Sequence, residues 1–155
     1  MLAFVLPLFG AVCGGIVAVR AQSVVTSIVT DPLTGIAISG MDPVSYFTEP
    51  APLQGRGDIE FSWGGVAWTF ATMANRDIFS RSPDTYAPQF GGHGAMAMAR
   101  GFLSDSDPRI YTVFKQRLYL FYSPGNREAF LLAPDAAAIK AEENWQVLSK
   151  TLSAQ

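Results

Sequence analysis

The sequence holds one cysteine and one histidine, and only 15% of its residues are charged. A zinc finger, a disulfide framework or a cage of several imidazoles cannot be assembled from that inventory. Acidic and basic residues are nearly balanced, thirteen against eleven, and the isoelectric point near 5.3 lacks the basic excess of a nucleic-acid binder. Gly55-Arg56-Gly57 has no third glycine and no strand-to-helix context, so no dinucleotide fingerprint is present. A G-x-S-x-G elbow is also missing. Arg56-Gly57-Asp58 matches an adhesion tripeptide, a match too short to carry weight. What the chain does have is apolar residues at 49%, with eleven Phe, five Tyr and three Trp among 155 residues. That is enough for a sizeable core in one domain.

Residues 1–19 carry no charge, and Arg20-Ala21-Gln22 follows them. An apolar core with small residues at Val19 and Ala21 reads as a secretory signal cleaved after Ala21. The positive start usual in such signals is missing. An uncleaved membrane anchor is the rival reading, since nineteen apolar residues nearly span a bilayer. Pro7, Gly10, Gly14 and Gly15 weaken it by lowering helix propensity. The residues before Cys13 do not fit a lipidation site. The expected mature chain, residues 22–155, has lost Cys13 and Arg20. It is periplasmic or secreted and cysteine-free, with a net charge near −3 and no membrane association once the signal is gone.

The mature chain reads as α+β, a small antiparallel sheet of two hairpins packed against short helices and a C-terminal helix. Residues 22–37 suggest a lead-in strand broken at Asp31-Pro32. Asp42 is placed to cap a short helical turn with Pro43 at its first position. Ile59, Phe61 and Trp63, then Val66, Trp68 and Phe70, alternate about Gly64-Gly65. A two-residue turn there pairs Trp63 with Val66, Phe61 with Trp68 and Ile59 with Phe70, all on one face. That aromatic face is read as core rather than a stacking platform. Thr72 opens a helix with Met73, Ile78 and Phe79 as buried candidates, ended by a tight turn at residues 82–88. Residues 95–100 fit either a short helix ending at Gly101 or a strand with Met96 and Met98 on one face. Residues 110–114 and 117–122 form a second hairpin, apolar on both faces and therefore placed centrally in the sheet. Residues 134–152 form a terminal helix with a stripe of Ile139, Trp145, Leu148 and Leu152. No internal repeat is visible.

Several segments in order are similar to the exported YHS-domain proteins of bacteria. They are Gly40-Met41-Asp42-Pro43-Val44-Ser45-Tyr46-Phe47, Trp68-Thr69-Phe70 and Asn75-Arg76-Asp77-Ile78-Phe79. Pro83-Asp84-Thr85-Tyr86-Ala87-Pro88-Gln89-Phe90-Gly91-Gly92, Asp107-Pro108, Leu118-Tyr119-Leu120 and Asn144-Trp145 complete the set, over roughly residues 34–148. The resemblance implies a binding module, since YHS domains are often proposed to hold metal and also occur in copper-handling proteins. In the family a Cys commonly follows the two glycines and one aromatic or His, but here that position is Gly94. A second departure is Lys115-Gln116, where the family usually has an Asp-Gly turn.

The chemistry left for a site centres on residues 91–98. His93 is the only imidazole, with Met96 and Met98 close behind it, and nitrogen plus thioether suits cuprous copper. The plainer alternative is a loop histidine with two methionines filling core gaps. Asp105 and Asp107 can bind a hard cation weakly, although turn capping is the commoner role. With acids, bases and nucleophiles so scarce, the chain is expected not to be an enzyme. The leading expectation is an exported module that binds a soft metal such as copper through His93, Met96 and Met98, with no other cofactor. The alternatives are a non-catalytic interaction domain for a protein or small apolar ligand, and a hydrolase using His93 as base. Intact-mass measurement of protein recovered from periplasm or medium is expected to show a chain starting at Gln22. A full-length, membrane-pelleting product that keeps Cys13 contradicts the signal reading.

Overall fold

The structure, a computed structural model, describes residues 27–152, so the signal reading, Cys13 and the start of the expected lead-in strand lie outside the described residues. Among the described residues the architecture is α+β, with two separate two-stranded antiparallel sheets and six α-helices. The first hairpin joins β1 (Arg56–Trp63) to β2 (Val66–Phe70), and the second joins β3 (Asp107–Phe114) to β4 (Arg117–Phe121). The helices are α1 (Ser45–Thr48), α2 (Met73–Arg81), α3 (Pro83–Tyr86), α4 (Ala95–Ala99), α5 (Pro124–Leu131) and α6 (Pro134–Leu152). Among the described residues no helix is long and apolar enough to cross a membrane.

The two halves of the chain repeat one another, a symmetry the sequence hides. Each half begins with a turn of three successive positive-φ residues, Ile38-Ser39-Gly40 in one and Phe90-Gly91-Gly92 in the other. Each turn is closed by a backbone bond, Met41 N to Ile38 O at 3.1 Å and His93 N to Phe90 O at 3.1 Å. A short helix follows, then a hairpin of eight and five residues. Trp63 lies opposite Val66 as Phe114 lies opposite Arg117, and each long strand carries an irregularity at the same place. Thr72 then caps α2 by accepting from Asn75 N at 3.1 Å, and Ser123 caps α5 by accepting from Asn126 N at 3.3 Å. In the first half Phe79 receives the rings of Trp63, Trp68 and Phe70 at 6.0, 5.1 and 5.3 Å. Phe130 receives Phe114, Tyr119 and Phe121 at 6.5, 5.0 and 5.3 Å in the second. Side-chain identity has diverged while backbone path and ring geometry have not, which is why the repeat escapes a reading of residues alone.

Several expectations are corrected by this arrangement. In β1 the irregularity between Arg56 and Glu60 places Phe70 opposite Arg56 instead of Ile59, although Ile59 is still buried. The second hairpin does not lie in the middle of a shared sheet. Leu118 and Leu120 enter one core with Trp68, Phe70 and Phe79, while Tyr119 and Phe121 enter another with Phe90, Met98 and Phe130. β4 is apolar on both faces because it is the wall between two cores. No lead-in strand forms over the described part of its range, where Asp31 Oδ1 instead accepts from Leu33 N and Thr34 N in a tight turn. Residues 83–86 are helical, with Pro83 in the first turn, and α5 is a helix the sequence pattern missed. Met73 is 51% exposed and Ile139 62% exposed, so neither packs inward.

The first repeat is pinned by Asp42, which is fully buried. Its Oδ1 accepts from Val44 N at 2.9 Å, and its Oδ2 accepts from Ala71 N at 2.9 Å and Asn75 Nδ2 at 2.7 Å. One carboxylate therefore fixes the turn before α1 to the junction of β2 and α2. Removing it strands three donors in an enclosed space, each costing about 1–3 kcal/mol unless water reaches it. Asp42→Ala is expected to lower the unfolding free energy by about 3 kcal/mol or more in urea titration. A loss within about 0.5 kcal/mol contradicts the hub assignment.

Candidate functional site

The glycine-rich segment at the start of the expected ligand stretch is a tightly packed turn. Gly91 has φ +62°, and a Cβ there would lie 1.7 Å from Ser27 O. Val29 N donates to Gly91 O at 2.8 Å while Val29 O accepts from Ile38 N at 3.2 Å, so residue 29 clamps both positive-φ turns. His93 follows in extended conformation, 3% exposed, with its ring 5.9 Å from that of Trp145.

Residues 95–99 resolve to a helix, and two residues along a helix turn through about 200°. Met96 and Met98 therefore occupy opposite faces. Met98 is fully buried among Phe90, Phe121 and Phe130, and Met96 is half-buried at the edge of the same core. The expected ligand set of His93, Met96 and Met98 is thus reduced to His93 and one outward sulfur. Among the described residues no group of three or more His, Cys, Asp or Glu side chains is placed to hold a metal ion. Asp107 Oδ1 accepts from Arg109 N at 2.9 Å, a turn bond, and Asp105 is exposed.

Gly94 has a structural reason of its own. A Cβ at this position would sit 2.6 Å from Ser104 Oγ and 3.6 Å from Tyr122 N. By the repeat, Gly94 stands where Asp42 stands in the first half. The room that a side chain would occupy is taken by Ser104.

A roomy concavity lies beside this segment, between the turn of the second hairpin and α6. Two adjoining cavities of about 530 and about 580 Å³ share Gln89, Phe90, Lys115, Arg117 and Glu142. This is the size range of small-molecule sites. Phe114 and Tyr119 line one end, and Trp63 and Trp145 the other. Lys115 and Gln116 make the hairpin turn with φ of +49° and +57°, where the first hairpin has Gly64 and Gly65. The Lys115 ammonium pairs with Asp135 and lies 5.3 Å over the Phe114 ring. Glu143 pairs with Lys140 at 2.9 Å.

Two charges of opposite sign in the shared stretch are not paired with each other or with any other charge among the described residues. Arg117 Nη1 donates only a long 3.4 Å bond to Gln89 Oε1, and Glu142 Oε1 accepts only from Gln146 Nε2 at 2.6 Å. Tyr119 is 4% exposed, and its hydroxyl bonds to no described residue. Burial raises its pKa above the ordinary phenol value, with Glu142 and Asp135 raising it further and Arg117 and Lys115 opposing. All four charges therefore act on this one hydroxyl. Arg117, Tyr119 and Glu142 were not singled out as site residues from sequence, because strand position, helix face and exposure make the cleft, and no local motif does. The signal that could have found it is the Lys-Gln pair at a turn requiring positive φ.

No family model matches the chain, and no curated protein or solved structure matches it either.

Gly94→Cys is expected to destabilise the protein by about 1–2 kcal/mol through overpacking against Ser104, and Ser104→Gly in the same chain is expected to restore most of the loss. Denaturant midpoints of the single and double variants measure this. Equal midpoints for wild type and Gly94→Cys refute the packing account.

Proposed function

We propose that this chain is an exported, non-catalytic binding module whose ligand lies in the cleft between the second hairpin turn and α6. The observation that carries the reading is the cleft itself, of ligand size, with aromatic walls and two charges left unpaired at its middle. The similarity of its segments to exported YHS-domain proteins supports a binding role, and the uncharged run over residues 1–19 supports export. A non-catalytic role is supported by the engagement of the candidate acids and bases. Asp42 is locked by three donors, and His93 is enclosed against Trp145 where a general base needs reach to a substrate proton.

The copper reading keeps one observation in its favour, which is that Met96 follows His93 closely in the chain and is only half-buried. One nitrogen and one thioether are a sparse set, so the metal-free reading is preferred.

Two measurements separate the readings. Titration with Cu(I) against a competing chelator is expected to show wild type, His93→Ala and Met96→Leu competing equally poorly. Tight uptake that either substitution weakens favours the metal site. A thermal-shift screen with small aromatic compounds is expected to find stabilisers whose effect is lost in Ile139→Trp, which crowds the cleft from an exposed position of α6. Stabilisers that act equally on that variant place the site elsewhere.

A further inference from the structure

The geometry points to a zwitterion with an aromatic or bulky apolar body as the ligand of this cleft, meaning a free amino acid or a short peptide of that kind. The inference rests on the binding-module reading above and deepens it.

The repeat supplies the argument. Tyr119 holds the place in the second half that Trp68 holds in the first, each stacked on the phenylalanine of the following helix. Trp68 satisfies its one polar atom internally, with Nε1 donating to Trp63 O at 3.1 Å. Tyr119 places a hydroxyl at the cleft with no bond to any described residue. The ring is buried while the hydroxyl opens on a ligand-sized cavity, where it offers a bond to whatever occupies it.

The charges around that hydroxyl define the rest of the ligand. Arg117 and Glu142 line the stretch common to both cavities. Lys115, Asp135 and Glu143 line the same cleft but are already paired. In the stretch common to both cavities the groups with capacity left are therefore one guanidinium and one carboxylate. Asp84, in no ion pair among the described residues, lines only the cavity that Trp145 closes. A ligand bearing only an anion would satisfy Arg117 and crowd Glu142, and one bearing only a cation would do the reverse. A carboxylate on Arg117 with an ammonium on Glu142 satisfies both through charge-assisted bonds. The apolar body of such a ligand has Phe90 and Trp145 to pack on, rings whose centroids lie 6.2 Å apart.

Calorimetric titration tests this with L-phenylalanine and the dipeptide Phe-Ala as zwitterions. Phenethylamine, 3-phenylpropionate and N-acetylphenylalanine amide remove one or both charges. Wild type is expected to bind at least one zwitterion about tenfold or more tightly than any trimmed analogue. Arg117→Gln and Glu142→Gln, both at exposed or half-exposed positions, should each weaken that binding about tenfold, and Tyr119→Phe should weaken it severalfold. Unchanged urea midpoints for the two charge variants separate lost binding from lost folding. Which zwitterion binds more tightly distinguishes a free amino acid from a peptide. If the uncharged amide binds as tightly as the zwitterions, this inference falls while the cleft reading stands. If no probe binds, both fall.

Discussion

A strand of five residues, β4, has to satisfy two cores at once. Its even-numbered side chains, Leu118 and Leu120, complete the aromatic cluster of the first repeat, and its odd-numbered ones, Tyr119 and Phe121, complete that of the second. Side chains alternate across a strand, so neither core can be altered here without moving the other. Fully burying such side chains contributes about 1.5–3 kcal/mol each. This explains how two sheets of only two strands are stable, since an isolated hairpin is marginal in water. It also fixes the outlook of the strand's first residue. Arg117 sits where β4 leaves the double core, and it is the point at which the structure can afford a charge.

The two repeats use one backbone plan for different ends. In the first, the polar groups of the turn and of β2 bond inward. Asp42 gathers two backbone amides and the Asn75 side chain, Thr69 Oγ1 donates to Gly40 O, and Trp68 bonds to Trp63. In the second the matching positions have changed in one direction. Gly94 gives up the carboxylate, Tyr119 gives up the internal bond, and Lys115-Gln116 replaces a glycine pair at a turn that favours glycine. Two of these three changes fall on the cleft. A repeat that only supported the fold would gain nothing from a non-glycine turn, because a residue in that region of φ costs about 1 kcal/mol.

Periodicity made much of the fold legible, and topology withheld the rest. Alternation about Gly64-Gly65 located the first hairpin and its inner face, and Pro134 with an alanine-rich run located α6. The register beyond Glu60 was not legible, because the irregularity depends on where the strand leaves the core and not on which residues it holds. The double apolar face of β4 was read correctly as two-sided burial, but nothing local distinguishes the middle of a sheet from a wall between cores. α5 was missed because Ser123-Pro124-Gly125-Asn126 has the composition of a turn, yet Ser123 and Pro124 are a cap and a first helical residue. The candidate site fared worst. His93 and the methionines drew attention through residue type, while Arg117, Tyr119 and Glu142 are ordinary residues made notable by the neighbours they lack.

Strain and charge in the cleft form one device. Lys115 and Gln116 reverse the chain in two residues, which sets Phe114 opposite Arg117 and points both toward α6 across the cleft. The same turn brings Lys115 over the Phe114 ring and onto Asp135 at the start of α6. An exposed ion pair of this kind contributes less than about 1 kcal/mol, so its value to the fold is small. Its effect on the cleft is larger, because it neutralises Lys115 and Asp135 within the wall and leaves Arg117 and Glu142 as the charges with capacity to spare in the stretch common to both cavities. A longer, glycine-rich turn would free Lys115 and blur that distinction. The short strained turn keeps Arg117 in a fixed place across the shared stretch from Glu142.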